Sequence, residues 1–174
     1  MVYSLRGGIL TSYNGTLTNG SMLAGKGTLR MSNGDMYTGE MVNMQAEGTG
    51  LFKYADGWTY YGELSQNKRH GIGIYEKANY ALYSGQFQND LMHGYGNFTS
   101  PDGNIYQCQW NQGQRQGHCT TYYENGDIEI GLWSNDLKEG TQYASLKKDK
   151  KYLARYYEKG KQIGKDERMS PTAP

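Results

Sequence analysis

The chain has 174 residues, of which only 36% are hydrophobic and 25 are glycine, an apolar supply too thin for one dense globular core. The net charge of +1 divides into an acidic body (residues 1–146, 9 Lys/Arg against 13 Asp/Glu) and a basic end (residues 147–174, 9 against 4), a balance that argues against nucleic acid as a partner. No run of 18 apolar residues could cross a bilayer, and two cysteines exclude a disulfide framework, which fits a reducing compartment.

Residues 1–12 read as an N-terminal cap strand. The stretch MVYSLRGGILTSYNG lacks the apolar stretch of a secretory signal, so the chain is not expected to be secreted.

From residue 13 the chain repeats. Tyr37, Tyr60, Tyr83, Tyr106, Glu129 and Tyr152 follow one another at 23-residue intervals, with Tyr13 placed 24 before Tyr37. Two places after each marker stands a small residue: Gly39, Gly62, Gly85, Cys108, Gly131, Ala154. Two further on stands a large one: Met41, Leu64, Phe87, Trp110, Trp133, Tyr156. A second pair of small residues follows, among them Gly48 and Gly50, Gly71 and Gly73, Gly94 and Gly96, Gly117 and Cys119. Polar turns such as QND and NQG, then NGD, ADG and PDG, separate the alternating runs, so each unit reads as one β-hairpin.

The register expected for a unit sets the marker Tyr opposite the aromatic after the second glycine, Gly opposite Gly, and the large residue opposite the first glycine. In the unit YSGQFQNDLMHGYGNF that pairs Tyr83 with Phe98, Gly85 with Gly96 and Phe87 with Gly94, all on one side, because strand side chains alternate. The glycines then form a floor on which rings lie, restoring packing that glycine lacks and letting the sheet bend. The fold class is all-β: an elongated, curved single-layer antiparallel sheet of successive hairpins. Six repeats occupy residues 13–151, a degenerate partial repeat, cap or short C-terminal helix follows at 152–164, and a polar tail runs from 165 to 174.

The units YYGELSQNKRHGIG and YSGQFQNDLMHGYG resemble the MORN (membrane occupation and recognition nexus) repeat, and the resemblance runs from about Tyr13 to Gly164. It implies a scaffold that docks partner segments or further copies on the aromatic face or at the ends, with phospholipid contact known for some members. The pattern departs at Cys108 and Cys119, at Glu129 and Gln142, and in the last unit, as terminal repeats that cap an open edge do.

No catalytic constellation is visible, and neither a cofactor nor a metal is expected. His70 and His93 precede glycine at the repeat step and read as structural or solvent-facing; His118 should point away from Cys119, which leaves too few ligands for a metal. Cys108 and Cys119 face each other, either as two small residues in place of glycine or as a cross-strand disulfide. With no second layer expected over the rings, the partner-binding groove is assigned to Tyr83, Phe87, Phe98, Tyr106, Trp110, Trp133 and Tyr156. Lys147, Lys148, Lys150, Lys151 and Arg155 are the candidate contacts to anionic lipid or an acidic partner, weak because acids interleave with them.

The reading is therefore a non-catalytic scaffold or accessory subunit, cytoplasmic and cytoskeletal or ciliary, or attached to a mitochondrial or other membrane-bound complex. Its partners would be protein subunits of a large assembly, with end-to-end self-association also open. The alternative is a membrane-associated adaptor that binds anionic phospholipid through the basic end.

Overall fold

A computed structural model describes residues 4–5, 7–15 and 25–170. Residues 1–3 and 6 of the cap strand, 16–24 of the first repeat and 171–174 of the tail lie outside the described residues. The chain divides into two units, residues 1–91 and 92–174. The described residues form strands and turns with no helix, so the C-terminal helix left open by the sequence is replaced by a hairpin.

The first unit holds β1 (Ser4–Leu5), β2 (Gly8–Gly15), β3 (Gly25–Met31), β4 (Met36–Val42), β5 (Gln45–Lys53), β6 (Thr59–Ser65), β7 (Lys68–Lys77) and β8 (Ala81–Gln88). Each pairs antiparallel with the next. The second unit continues the same up-and-down order through β9 (Leu91–Thr99), β10 (Ile105–Asn111), β11 (Gln114–Tyr122), β12 (Ile128–Ser134), β13 (Leu137–Leu146), β14 (Lys151–Glu158) and β15 (Lys161–Met169).

Turn chemistry explains the hairpins. Gln66–Asn67 and Asn135–Asp136 both have positive φ at the two central positions, the twist that matches flanking strands in two-residue loops. At the opposite strand ends Gly57 and Gly126 take positive φ and donate N–H to Tyr54 and Tyr123 carbonyls.

The expected glycine floor is present. Tyr60 pairs with Tyr75 and Gly62 with Gly73, and a Cβ added at Gly73 would stand 2.5 Å from Tyr60 Cε2. Tyr37, Tyr60 and Tyr83 lie flat and buried, and their hydroxyls donate to the carbonyls of Glu40 (2.6 Å), Glu63 (2.6 Å) and Gln86 (2.9 Å). The ring thus buries its carbon face while its hydroxyl stays satisfied by backbone, which a Phe could not do.

The third expected pair is not formed. Leu64 faces Arg69 and Trp133 faces Lys138, while Gly71 and Gly117 pair with Phe87 and Trp133 of the following strand. The cause is an irregularity in the second strand: Gly71 and Gly117 sit at φ 55° and 74°, and between Gly62–Gly73 and Leu64–Arg69 β7 advances four residues while β6 advances two, so the partners shift by two and the faces are kept.

The last unit also departs from the expected register. Thr121 pairs with Glu129, eight residues on, but Ala144 pairs with Leu153, nine on. That one added residue exchanges the two faces of β14, so Leu153, Arg155 and Tyr157, not Tyr152, Ala154 and Tyr156, continue the aromatic face.

Candidate binding site on the aromatic face

The rings expected to lie open are mostly covered. Tyr83, Phe87, Trp110 and Trp133 are buried, Phe98 and Tyr106 are half-buried, and Tyr156 is exposed on the opposite face. The cover comes from the sheet itself. The second residue after each two-residue turn points to the same side as the large residue it pairs with, and at positions 69, 115 and 138 it is basic. Arg69 lays its guanidinium 4.5 Å from the Tyr75 centroid and 5.2 Å from that of Phe87; Arg115 lies 5.2 Å from Tyr106 and 3.8 Å from Trp133; Lys138 Nζ lies 5.8 Å from Trp133 and 5.1 Å from Tyr157. Flat or long cations over ring faces both bury carbon and gain from the ring quadrupole. The sequence reading passed over these residues, although their 23-residue recurrence with Ala46 and Met92 was a legible signal.

Each arginine is locked from the next turn. Asp90 Oδ1 accepts from the Arg69 backbone N–H (2.9 Å) and Nε (3.2 Å), and Asp136 Oδ1 does the same for Arg115 (3.0 and 2.8 Å). Asn67 Oδ1 accepts from the Ala46 N–H at 2.7 Å, but the equivalent position before Met92 is Gly113, which brings no acceptor. One place further on, Glu47, Gln116 and Glu139 accept the N–H of Gln66, Asn135 and Lys159. His70 and His93 occupy that same repeat position.

Two hollows recur on this face at an interval of 46 residues. In the first unit Phe52, Tyr54, Leu64, Asn67, Arg69 and Asp90 line a cavity of about 190 Å³. In the second, Phe98, Ser100, Trp110, Gly113, Arg115 and Asp136 line the corresponding one, of about 240 Å³, with Tyr106 and Met92. Phe98 stacks on Tyr106 and meets Trp110 edge-on, both at 6.2 Å between centroids. The structure thereby gathers Phe98, Tyr106 and Trp110 at one hollow, with Trp133 joined through Arg115. In the first unit Tyr83 meets Phe87 edge-on at 5.0 Å.

The departures from the repeat shape the second hollow. Cys108 and Cys119 are joined as a cross-strand disulfide and fill the floor that glycines leave empty elsewhere. Tyr106 therefore cannot lie flat; among the described residues its hydroxyl makes no bond to the Gln109 carbonyl like that of Tyr60 to Glu63, and its ring stays half-exposed. In the next unit Glu129 replaces the tyrosine and Gln142 fills the floor. Gln142 Nε2 donates to Leu132 O (2.8 Å) and Glu139 O (3.2 Å), the repeat equivalents of the Glu63 and His70 carbonyls that Tyr60 reaches. The buried Glu129 carboxylate is paired with Lys138 and, at 3.7 Å, with Arg155.

Arg155 also bonds Asp166 on this face, so it is held apart from the other basic candidates. Lys147, Lys148 and Lys150 share the exposed β13–β14 turn, which Lys151 follows. His118 and Cys119 pair with Leu132 and Gly131 and so point to opposite faces. No cluster of three metal-ligating side chains occurs among the described residues.

A chain of tyrosine-on-glycine hairpins with this spacing is a repeat scaffold by construction. It belongs to the MORN repeat family, whose model matches residues 37–59, 60–81, 83–105 and 106–128, just over half the chain. No curated protein matches it. Among solved structures it is similar to the TCP domain of SAS-4 (dCPAP) of Drosophila melanogaster in complex with a proline-rich motif of Ana2 (dSTIL), at 12% identity and a TM-score of 0.46, over 90% of this chain and 96% of that one. It is also similar to the wild-type TCP10 domain of Danio rerio CPAP, at 14% identity and a TM-score of 0.27, over 97% and 99%.

Proposed function

We propose that this chain is a non-catalytic scaffold or accessory subunit that holds a segment of a partner protein on its aromatic face, within a cytoskeletal, ciliary or organellar assembly. The observation that carries this reading is the hollow beside Phe98, Tyr106 and Trp110, propped open where cysteines replace the glycine floor. Rings on one wall and the Arg115–Asp136 pair on the other suit an apolar side chain whose own backbone needs hydrogen-bond partners. The related hollow in the first unit offers the same chemistry a second time.

Cross-linked capture from native extract, compared between the wild type and a Phe98→Ala/Tyr106→Ala chain, tests it. Loss of the captured partner, with the circular dichroism spectrum retained, supports the reading; undiminished capture refutes it. A Cys108→Gly/Cys119→Gly chain, in which Tyr106 can drop onto the floor as Tyr60 does, should narrow the hollow toward the about 190 Å³ of its first-unit counterpart and weaken capture.

A second reading has its own observation, the exposed lysines of the β13–β14 turn. A membrane adaptor would bind vesicles containing anionic lipid in a salt-sensitive way, and replacing Lys147, Lys148, Lys150 and Lys151 by Ser would abolish that binding.

A further inference from the structure

The exposed apolar surface of the second unit lies on the face opposite the rings. Ile130 pairs with Tyr143 and Tyr143 with Ala154; Leu132, Tyr152, Tyr156 and Ile163 complete the patch on adjoining strands. These six large side chains are each 42% to 51% exposed. About half of roughly 200 Å² apiece gives on the order of 600 Å² of contiguous apolar surface, the upper end for a lone monomer. Tyr122 and Ile105, paired with each other, extend it across two further strands.

We infer that this face packs against the same face of a second copy of the chain, sheet on sheet about a two-fold axis. Three features favour a second copy. The patch interior carries no charge, Thr120, Ser145 and Ala154 standing between the large residues, so identical surfaces meet without like-charge repulsion. At its margin stand Glu158 and Lys161, which are cross-strand neighbours, Glu167 on the edge strand opposite Ala154, and Glu139, whose carboxylate already accepts the Lys159 N–H. The same face of the first unit, by contrast, carries Lys26, Glu40 and Glu63.

The area also fits. The patch with Tyr122 and Ile105 approaches the ~800 Å² per partner of a standard specific interface. Two copies of one side-chain lattice, alternating β-branched residues with tyrosines, interdigitate at the ~10 Å spacing of stacked sheets, and a two-fold axis brings both into register at once. The face is distinct from the strand ends and from the aromatic side, so the inference stands without the partner-binding reading.

Sedimentation velocity of the full chain tests it. The wild type should reach the mass of two chains below roughly 100 µM, and Ile130→Lys or Tyr143→Glu should raise the dissociation constant at least ~100-fold, because a two-fold interface counts each buried charge twice. Both positions are exposed, so circular dichroism should be unchanged. A wild type that stays monomeric, or variants that dimerise as tightly as it does, would overturn the inference. So would a monomer that binds uncharged phosphatidylcholine vesicles and releases them on Tyr143→Glu, which would give the face to a membrane.

Discussion

The guanidinium of Arg115 lies 3.8 Å from the ring centroid of Trp133, while its Nε donates to Asp136 at 2.8 Å. A single side chain therefore roofs a ring, fills the gap toward Tyr106 and ties one hairpin to the turn of the next. Because the layer has these cations for cover, its aromatic face behaves as a core. Among the described residues of this face, the hollows beside the arginines stay open.

Arg115→Ala removes a partly desolvated cation–π contact and a charge-assisted hydrogen bond, which together should cost about 1–3 kcal/mol. Arg115→Lys should restore only part of that, since an ammonium lacks the planar fork. Urea unfolding checks both, and an unchanged midpoint for the alanine variant would show that the roof contributes nothing.

Glu129 and Gln142 should be exchangeable only as a pair. Glu129→Tyr alone drives a ring into the Gln142 amide, and Gln142→Gly alone strips the Leu132 and Glu139 carbonyls of their donor. Together they rebuild the tyrosine-on-glycine arrangement of the earlier repeats. A double-mutant cycle should show favourable coupling of about 1–3 kcal/mol, and additive losses would contradict the substitution of one floor by the other.

Alkali should unfold the protein through its buried tyrosines. Burial pushes the Tyr60 and Tyr83 hydroxyls well above their ordinary value, and burial aided by Glu129 pushes Tyr123 up to about 12. From about pH 10 upward the unfolded chain has released protons that the folded chain still holds, so stability is complete below that pH and declines as pH rises. Tyr60→Phe should flatten this decline while losing roughly 1 kcal/mol at neutral pH for the missing hydrogen bond. Ultraviolet titration of tyrosinate should show a group of rings that ionise only on unfolding.

Gly113→Asp should stabilise the second unit. The backbone there has φ 83°, near the 72° and 65° of Asp90 and Asp136, and an added Cβ meets no atom within 4 Å. The new carboxylate supplies the acceptor that the turn lacks opposite Met92, and that bond outweighs the cost of a side chain at positive φ, which aspartate tolerates, for a net gain of up to about 0.5 kcal/mol. Thermal unfolding reads the gain directly, and a fall in midpoint would mean that the glycine serves the hollow by its emptiness.

The 23-residue recurrence determined the hairpins, the tyrosine-on-glycine floor and the pairing of Cys108 with Cys119, because those relations are local and repeat with the backbone geometry. Two properties needed the folded chain. The first is register: the irregularity at Gly71 changes which residues stand opposite each other within the hairpin, and the one-residue longer connection before Leu153 changes which residues share a face, because a single residue is decisive in a structure of period two. The second is cover. Whether Trp133 is exposed depends on Arg115 and Lys138 reaching across strands from other turns, and whether Ile130, Tyr143 and Tyr156 form one surface depends on which strands stand beside which. Burial is a sum over neighbours distant in the chain, so a repeat read in one dimension places the rings without saying which of them the solvent can reach.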